Sequence, residues 1–142
     1  MADLLRTILP DGWPRPSGYA NAIRVPAGRD LLVVAGMIGW DERGQLVSPD
    51  LVPQLEQALR NLATVLERGG SSPADLVRVT LYVTDKEAWR ASRAEIGLAW
   101  RRVLGKVYPA MTLVEVKGLL EPGAVVEVEA TAAVALEGPR SE

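Results

Sequence analysis

The sequence has no cysteine and no histidine in 142 residues. The first absence excludes disulfides and thiolate nucleophiles, and the second excludes Ser-His and Cys-His dyads. Together they exclude any zinc site built on thiolate or imidazole, and no metal site or cofactor is expected. Catalysis, if there is any, must move protons through carboxylates, Lys, Tyr, Ser/Thr or water. A surplus of positive charge is missing too. The formal net charge is −2, the pI is about 5.3, and the arginines are scattered and offset by acids, so nucleic acid is not an expected partner. Long hydrophobic runs are also absent. LLVVAGMIG at 31–39 is the longest, well short of the roughly 20 residues that span a bilayer. The opening MADLLRTILPDGW lacks the basic start and apolar stretch of a signal peptide. These features predict no membrane partner and a cytoplasmic location.

What is present reads as one domain over 1–142. Apolar residues make up 48% and charged residues 24%, and a chain of this size buries roughly two thirds of its unfolded surface. Residues 1–20 read as an irregular lead-in and 137–142 as a disordered tail. Ala22–Val25 and Leu31–Gly36, joined by PAGRD, read as a hairpin. Ser48-Pro49 offers an N-cap and a first-turn proline to a helix. Its apolar stripe is Leu51, Leu55, Ala58, Leu59, Leu62, Val65 and Leu66, and Gly69-Gly70 ends it.

LVRVTLYVT (76–84) alternates, with Val77, Val79, Leu81 and Val83 on one side. Thr84 and Glu87 form a T-x-x-E capping box for a second helix. That helix carries Trp89, Ile96, Ala99, Trp100, Val103 and Leu104 at core spacing and stops at Gly105. MTLVEV and VVEVEATAAVAL, separated by KGLLEPGA, read as a last hairpin.

The expected order is therefore β-β-α-β-α-β-β, an α+β fold with two helices on one face of a mixed sheet of five or six strands. On the last hairpin the other face is predicted to carry Met111, Leu113 and Glu115 beside Glu127, Glu129 and Thr131. That mixture is too apolar for bulk water and too charged for a closed core. A symmetric oligomer with carboxylates in interface clefts resolves it.

In this order and spacing, several segments resemble the reactive intermediate deaminase family, RidA/YjgF, over about Tyr19 to Val134. They are SGYANAI, VAGMIGW (34–40), QLEQALRNLATVLERGGSSPADLVRVTLYVTD (54–85), PAMTLVEV and VEVEATA. The resemblance implies a chorismate-mutase-like homotrimer, three sheets forming a central barrel, with a small-molecule cleft at each subunit interface. It also implies hydrolysis of a 2-imino acid or enamine to a keto acid and ammonia. The family's glutamate that orients the water falls on Glu127, its tyrosine on Tyr19 and its strand-end glycine on Gly36. The arginine that grips the substrate carboxylate falls on Met111, followed by Thr112.

Arginine is a planar, permanently charged fork, whereas methionine is a flexible apolar filler. Losing a charge-assisted hydrogen bond costs roughly 1.5–3 kcal/mol, so the usual 2-imino acid is not the expected substrate. The family's flanking Ser and Gln are Ala35 and Met37 here, and Trp40 offers an aromatic wall, so a less polar ligand is inferred.

Each residue has a plainer reading beside this one. Glu127 is otherwise a half-exposed strand glutamate, and Met111 is otherwise sheet packing. Arg93 falls on the second helix near a family position that borders the cleft and offers a cation from another direction, or is a solvated helix arginine. Trp89 and Trp100 read as core, and Glu115 and Glu129 as structural or interface charges. Two functions remain open. One is hydrolytic deamination of an imine, enamine or aminomuconate-type compound. The alternative is a trimer that binds a small molecule, or regulates, without turnover. Relatives have also been labelled ribonucleases, a reading ranked last for a chain without histidine.

Overall fold

The computed structural model describes residues 4–136, so the tail expected at 137–142 lies outside the described residues. In chain order the elements are β1 (Arg6–Ile8), β2 (Ala22–Arg24), β3 (Arg29–Met37), α1 (Leu51–Arg68), a 3-10 turn (Pro73–Asp75), β4 (Leu76–Val83), α2 (Lys86–Ala91), α3 (Arg93–Leu104), β5 (Ala110–Glu115) and β6 (Val126–Ala135). The lead-in thus contains one short strand. None of the helices described is long and apolar enough to cross a membrane.

The stripe on α1 forms the centre of the core. Leu55, Ala58, Leu59, Leu62 and Leu66 are fully buried and join Val79, Leu81, Val83, Val126 and Val128 of the sheet. Ile96, Trp100 and Leu104 of α3 complete the same cluster. The N-cap of α1 is Asp50, not Ser48. The serine acts two residues earlier, its Oγ accepting from the Asp50 N–H at 3.0 Å. At the other end, Gly70 takes φ +77°, the positive value that ends the helix without a Cβ penalty.

The second helix differs from expectation in two ways. It breaks at Ser92 into α2 and α3, and its cap is Asp85, whose carboxylate accepts from the Glu87 and Ala88 N–H groups at 3.0 and 3.1 Å. The ionised Asp85 one residue later, a stronger acceptor than a hydroxyl, takes the exposed N–H groups in place of Thr84.

Neither expected hairpin forms. β2 pairs with β1 in a two-stranded sheet, and β3 pairs with β6. The main sheet has four strands in the order β3-β6-β4-β5, antiparallel except for the parallel pair β4–β5. Turn chemistry marks where a chain reverses, not which strand it reverses onto. The β4–α2–α3–β5 crossover sets β5 parallel to β4. The loop after β5 then passes the end of β4, where the Val116 N–H bonds Val83 O at 2.8 Å and the Thr84 N–H bonds Val125 O at 3.1 Å. β6 therefore enters on the far side of β4.

This order corrects the predicted faces. Met111 lies opposite Val79 and Leu113 opposite Leu81. Both point toward the helices and pack on the core. The open face carries Thr112 and Val114 beside Thr80 and Tyr82, then Glu129 and Glu127. A register shift between Leu76 and Arg78 also alters β4, burying Leu76 and leaving Val77 half-buried.

Two polar side chains lock the loops at one end. Gln54 is fully buried. Its Nε2 donates to Ser48 O at 2.8 Å and Gly123 O at 2.9 Å, and its Oε1 accepts from the Val125 N–H at 2.9 Å. Asn61 Nδ2 donates to Ile38 O and Trp40 O at 2.9 and 3.0 Å. These are the Gln and Asn of QLEQALRN, the start of the 54–85 segment that carries the resemblance, and both hold the fold.

Candidate functional site

A cleft of about 810 Å³ opens on the helix side of β4 and β5. Tyr19, Arg93, Met111 and Thr112 all line it. Tyr19 arrives there because Ala20 bridges Ala110 in parallel and its N–H bonds Pro109 O at 3.0 Å, laying the 14–20 segment along the start of β5. Arg93 comes from the first turn of α3. Met111 lines the cleft while also packing on the core. Thr112 sits on the edge strand, and its hydroxyl accepts from Arg78 Nη2 at 3.2 Å on the open face.

The structure separates the other predicted site residues from this group. Glu127 and Gly36 meet on the open face, at the bulge where β3 shifts register between Val34 and Met37. A Cβ on Gly36 would stand 2.0 Å from Glu127 Oε1 and 2.7 Å from its Cδ. The missing side chain is what admits this carboxylate. Glu127 is half-buried and receives no hydrogen bond from any described residue. Its neighbour Glu129 is held by the Tyr82 hydroxyl, which donates to Oε1 at 2.5 Å. That bond, followed by burial and the charges of Glu129 and Glu127, raises the Tyr82 pKa, while Arg78 acts the other way.

Trp40 lies in the loop after β3, paired with Leu46, away from the cleft lining. Ala35 is exposed and Met37 packs on the core, so neither shares the cleft with Met111 within one chain.

Several lining residues were not singled out for the site by the sequence reading. Trp89 and Trp100, read as core, form part of the cleft wall as well. Trp100 keeps its indole N–H on Val107 O at 2.8 Å. Arg15, Gly97, Arg101 and Tyr108 also line it. The signal was present in part, because Arg93, Gly97 and Arg101 recur every four residues on one helical face.

The chain belongs to the family described as endoribonuclease L-PSP, whose family model matches residues 14–134, and within it to the RidA/YjgF proteins. It is 33% identical over 127 residues to a RutC family protein of Pyrococcus horikoshii, covering 88% of this chain and 94% of that one. The human 2-iminobutanoate/2-iminopropanoate deaminase is 28% identical over 122 residues, 85% of this chain and 81% of the relative. Among solved structures, a conserved Rid family protein of Yersinia pestis, YyfB, has a TM-score of 0.80 and 34% identity, covering 92% and 98% of the two chains.

Proposed function

We propose that this protein is a hydrolytic deaminase of the imine or enamine class, working at a small-molecule cleft shared between subunits of a homotrimer. Water adds to the C=N carbon, and a proton passes to nitrogen. The tetrahedral adduct then collapses to a carbonyl compound, releasing ammonia. Glu127 is the group that takes the proton from water and returns it to the leaving amine.

The observation carrying this reading is the state of Glu127. A half-buried carboxylate with no hydrogen-bond donor among the described residues, beside a glycine that leaves it space, is available to hold a water. Glu129, two residues on, is already occupied by Tyr82. The name of the human relative, an imine deaminase, supports the same chemistry.

Within one chain the cleft and Glu127 lie on opposite sides of the sheet, so a shared site needs a second subunit. The open face suits that role, with Leu31 69% and Val33 75% exposed beside the glutamates. Packing such faces together buries both the apolar residues and the carboxylate.

The test is ammonia release from a panel of imines generated in place by amino-acid oxidases, comparing wild type with Glu127→Gln and Glu129→Gln. The expected result is a loss of at least about a hundredfold for Glu127→Gln, in the range of general acid–base catalysis, and a small change for Glu129→Gln. Equal rates for wild type and Glu127→Gln would remove the enzyme reading. A ligand that co-purifies and stays chemically unchanged would favour a binding protein instead.

A further inference from the structure

The chain is acidic overall, yet the cleft wall is not. Three guanidiniums line it, Arg15, Arg93 and Arg101, and no Asp or Glu does among the described residues. Among the described residues none of the three has a carboxylate partner, while on the same helical stretch Arg90 is paired with Glu87 and Arg102 with Glu56. Unpaired like charges around a concavity raise the local potential and favour an anion there. Apart from Ser17 and Thr112, the rest of the wall is aromatic, apolar or glycine, chiefly Trp89, Trp100, Tyr108 and Met111.

Gly97 gives the second observation. It stands in the middle of α3, where glycine is less favourable than alanine by roughly 1 kcal/mol. Its φ is not positive, so the backbone does not require it. A Cβ built there meets nothing within 4 Å, so packing does not require it either. Gly97 lines the cleft one turn from Arg93 and one turn from Arg101. A glycine with no structural reason, between two unpaired arginines, forms a notch.

We infer that the Arg93–Gly97–Arg101 face of α3 is the anion-reading wall of the cleft, and that the ligand is a carboxylate with a flat apolar body. The carboxylate lies over the Gly97 notch between the guanidiniums, and the apolar body lies against Met111 and the tryptophans. This rests on the reading that the cleft is the ligand site. The carboxylate contact thus moves from strand β5 to helix α3.

The test is a titration of the intact protein at low salt with benzoate and benzamide, which share a shape and differ in charge, followed by calorimetry. Wild type is expected to bind benzoate about tenfold or more tightly than benzamide. The Arg93→Gln/Arg101→Gln double variant is expected to lose that preference, while Arg102→Gln keeps it. Gly97→Ala should raise the melting temperature while weakening benzoate binding, a combination that a purely structural glycine would not show. Equal binding of the two probes, no binding of either, or a double variant with the wild-type preference would overturn the inference. Because the readout is binding, the outcome is separable from turnover. Glu127→Gln can abolish deamination and leave the benzoate preference intact, whereas a wild type that deaminates imines in a Glu127-dependent way but shows no benzoate preference would sink this inference alone.

Discussion

The two faces of the four-stranded sheet differ in how completely their polar groups are used. On the helix-covered face the core is closed, and the buried amide of Gln54 makes three hydrogen bonds to loop backbone. On the open face, large aliphatic side chains are exposed on the single chain, and Glu127 has no hydrogen-bond donor among the described residues. The closed face has little left to offer a partner or a substrate, except at its rim, where the cleft begins. An open face with exposed apolar residues and a carboxylate that no described residue bonds is where further interactions are expected.

The largest effect should come from breaking the closed side. Gln54→Ala strands two carbonyls and one N–H, each costing about 1–3 kcal/mol, so a loss of about 3 kcal/mol or more in denaturant-unfolding stability is expected. A loss below 1 kcal/mol would mean that water replaces the amide. On the open side, Gly36→Ala should act on activity rather than stability. The new Cβ displaces the end of a flexible glutamate side chain, which is cheap, but moves the carboxylate. Turnover is expected to fall about tenfold or more with the melting temperature nearly unchanged. Val33→Asp should change monomer stability by no more than about 0.5 kcal/mol, because the side chain is largely exposed. Sedimentation should nevertheless show a lower assembled mass, whereas an unchanged mass would place the subunit interface elsewhere.

The smallest effect concerns Tyr82. Its pKa is raised above the usual 10.0 by the bond to Glu129. A raised folded-state value means that the contribution is fully present below pH 10 and is lost as pH rises through the folded value. Tyr82→Phe should therefore flatten the decline of stability on the alkaline side, and an unchanged alkaline limb would contradict the bond's role.

Much of the fold was legible in the sequence, and the parts that failed share a cause. The α1 stripe and the alternation of β4 are local patterns, and both elements formed with those faces packed on the core, apart from Val77 at the β4 register shift. Strand partners are not local. The turn at 117–124 marked a reversal between β5 and β6, but placing β4 between them requires knowing the crossover. That one error put Met111 on the same face as Glu127, when it faces the helices. Residues of the site were legible only through the family resemblance. Tyr19, Arg93, Met111 and Thr112 do meet in one cleft, whereas Glu127 with Gly36 lies across the sheet. Gly97 went unread because a single mid-helix glycine has no meaning until its surroundings show that the space beside it is empty.

The most direct test of the account is 2-iminopropanoate hydrolysis by wild type and by Met111→Arg. The account predicts slow turnover by wild type and a gain in Met111→Arg, since the small substrate would regain a cation on the strand side. A wild type already fast on 2-iminopropanoate, with no gain in the variant, would contradict the claim that Met111 has changed which ligand this cleft accepts.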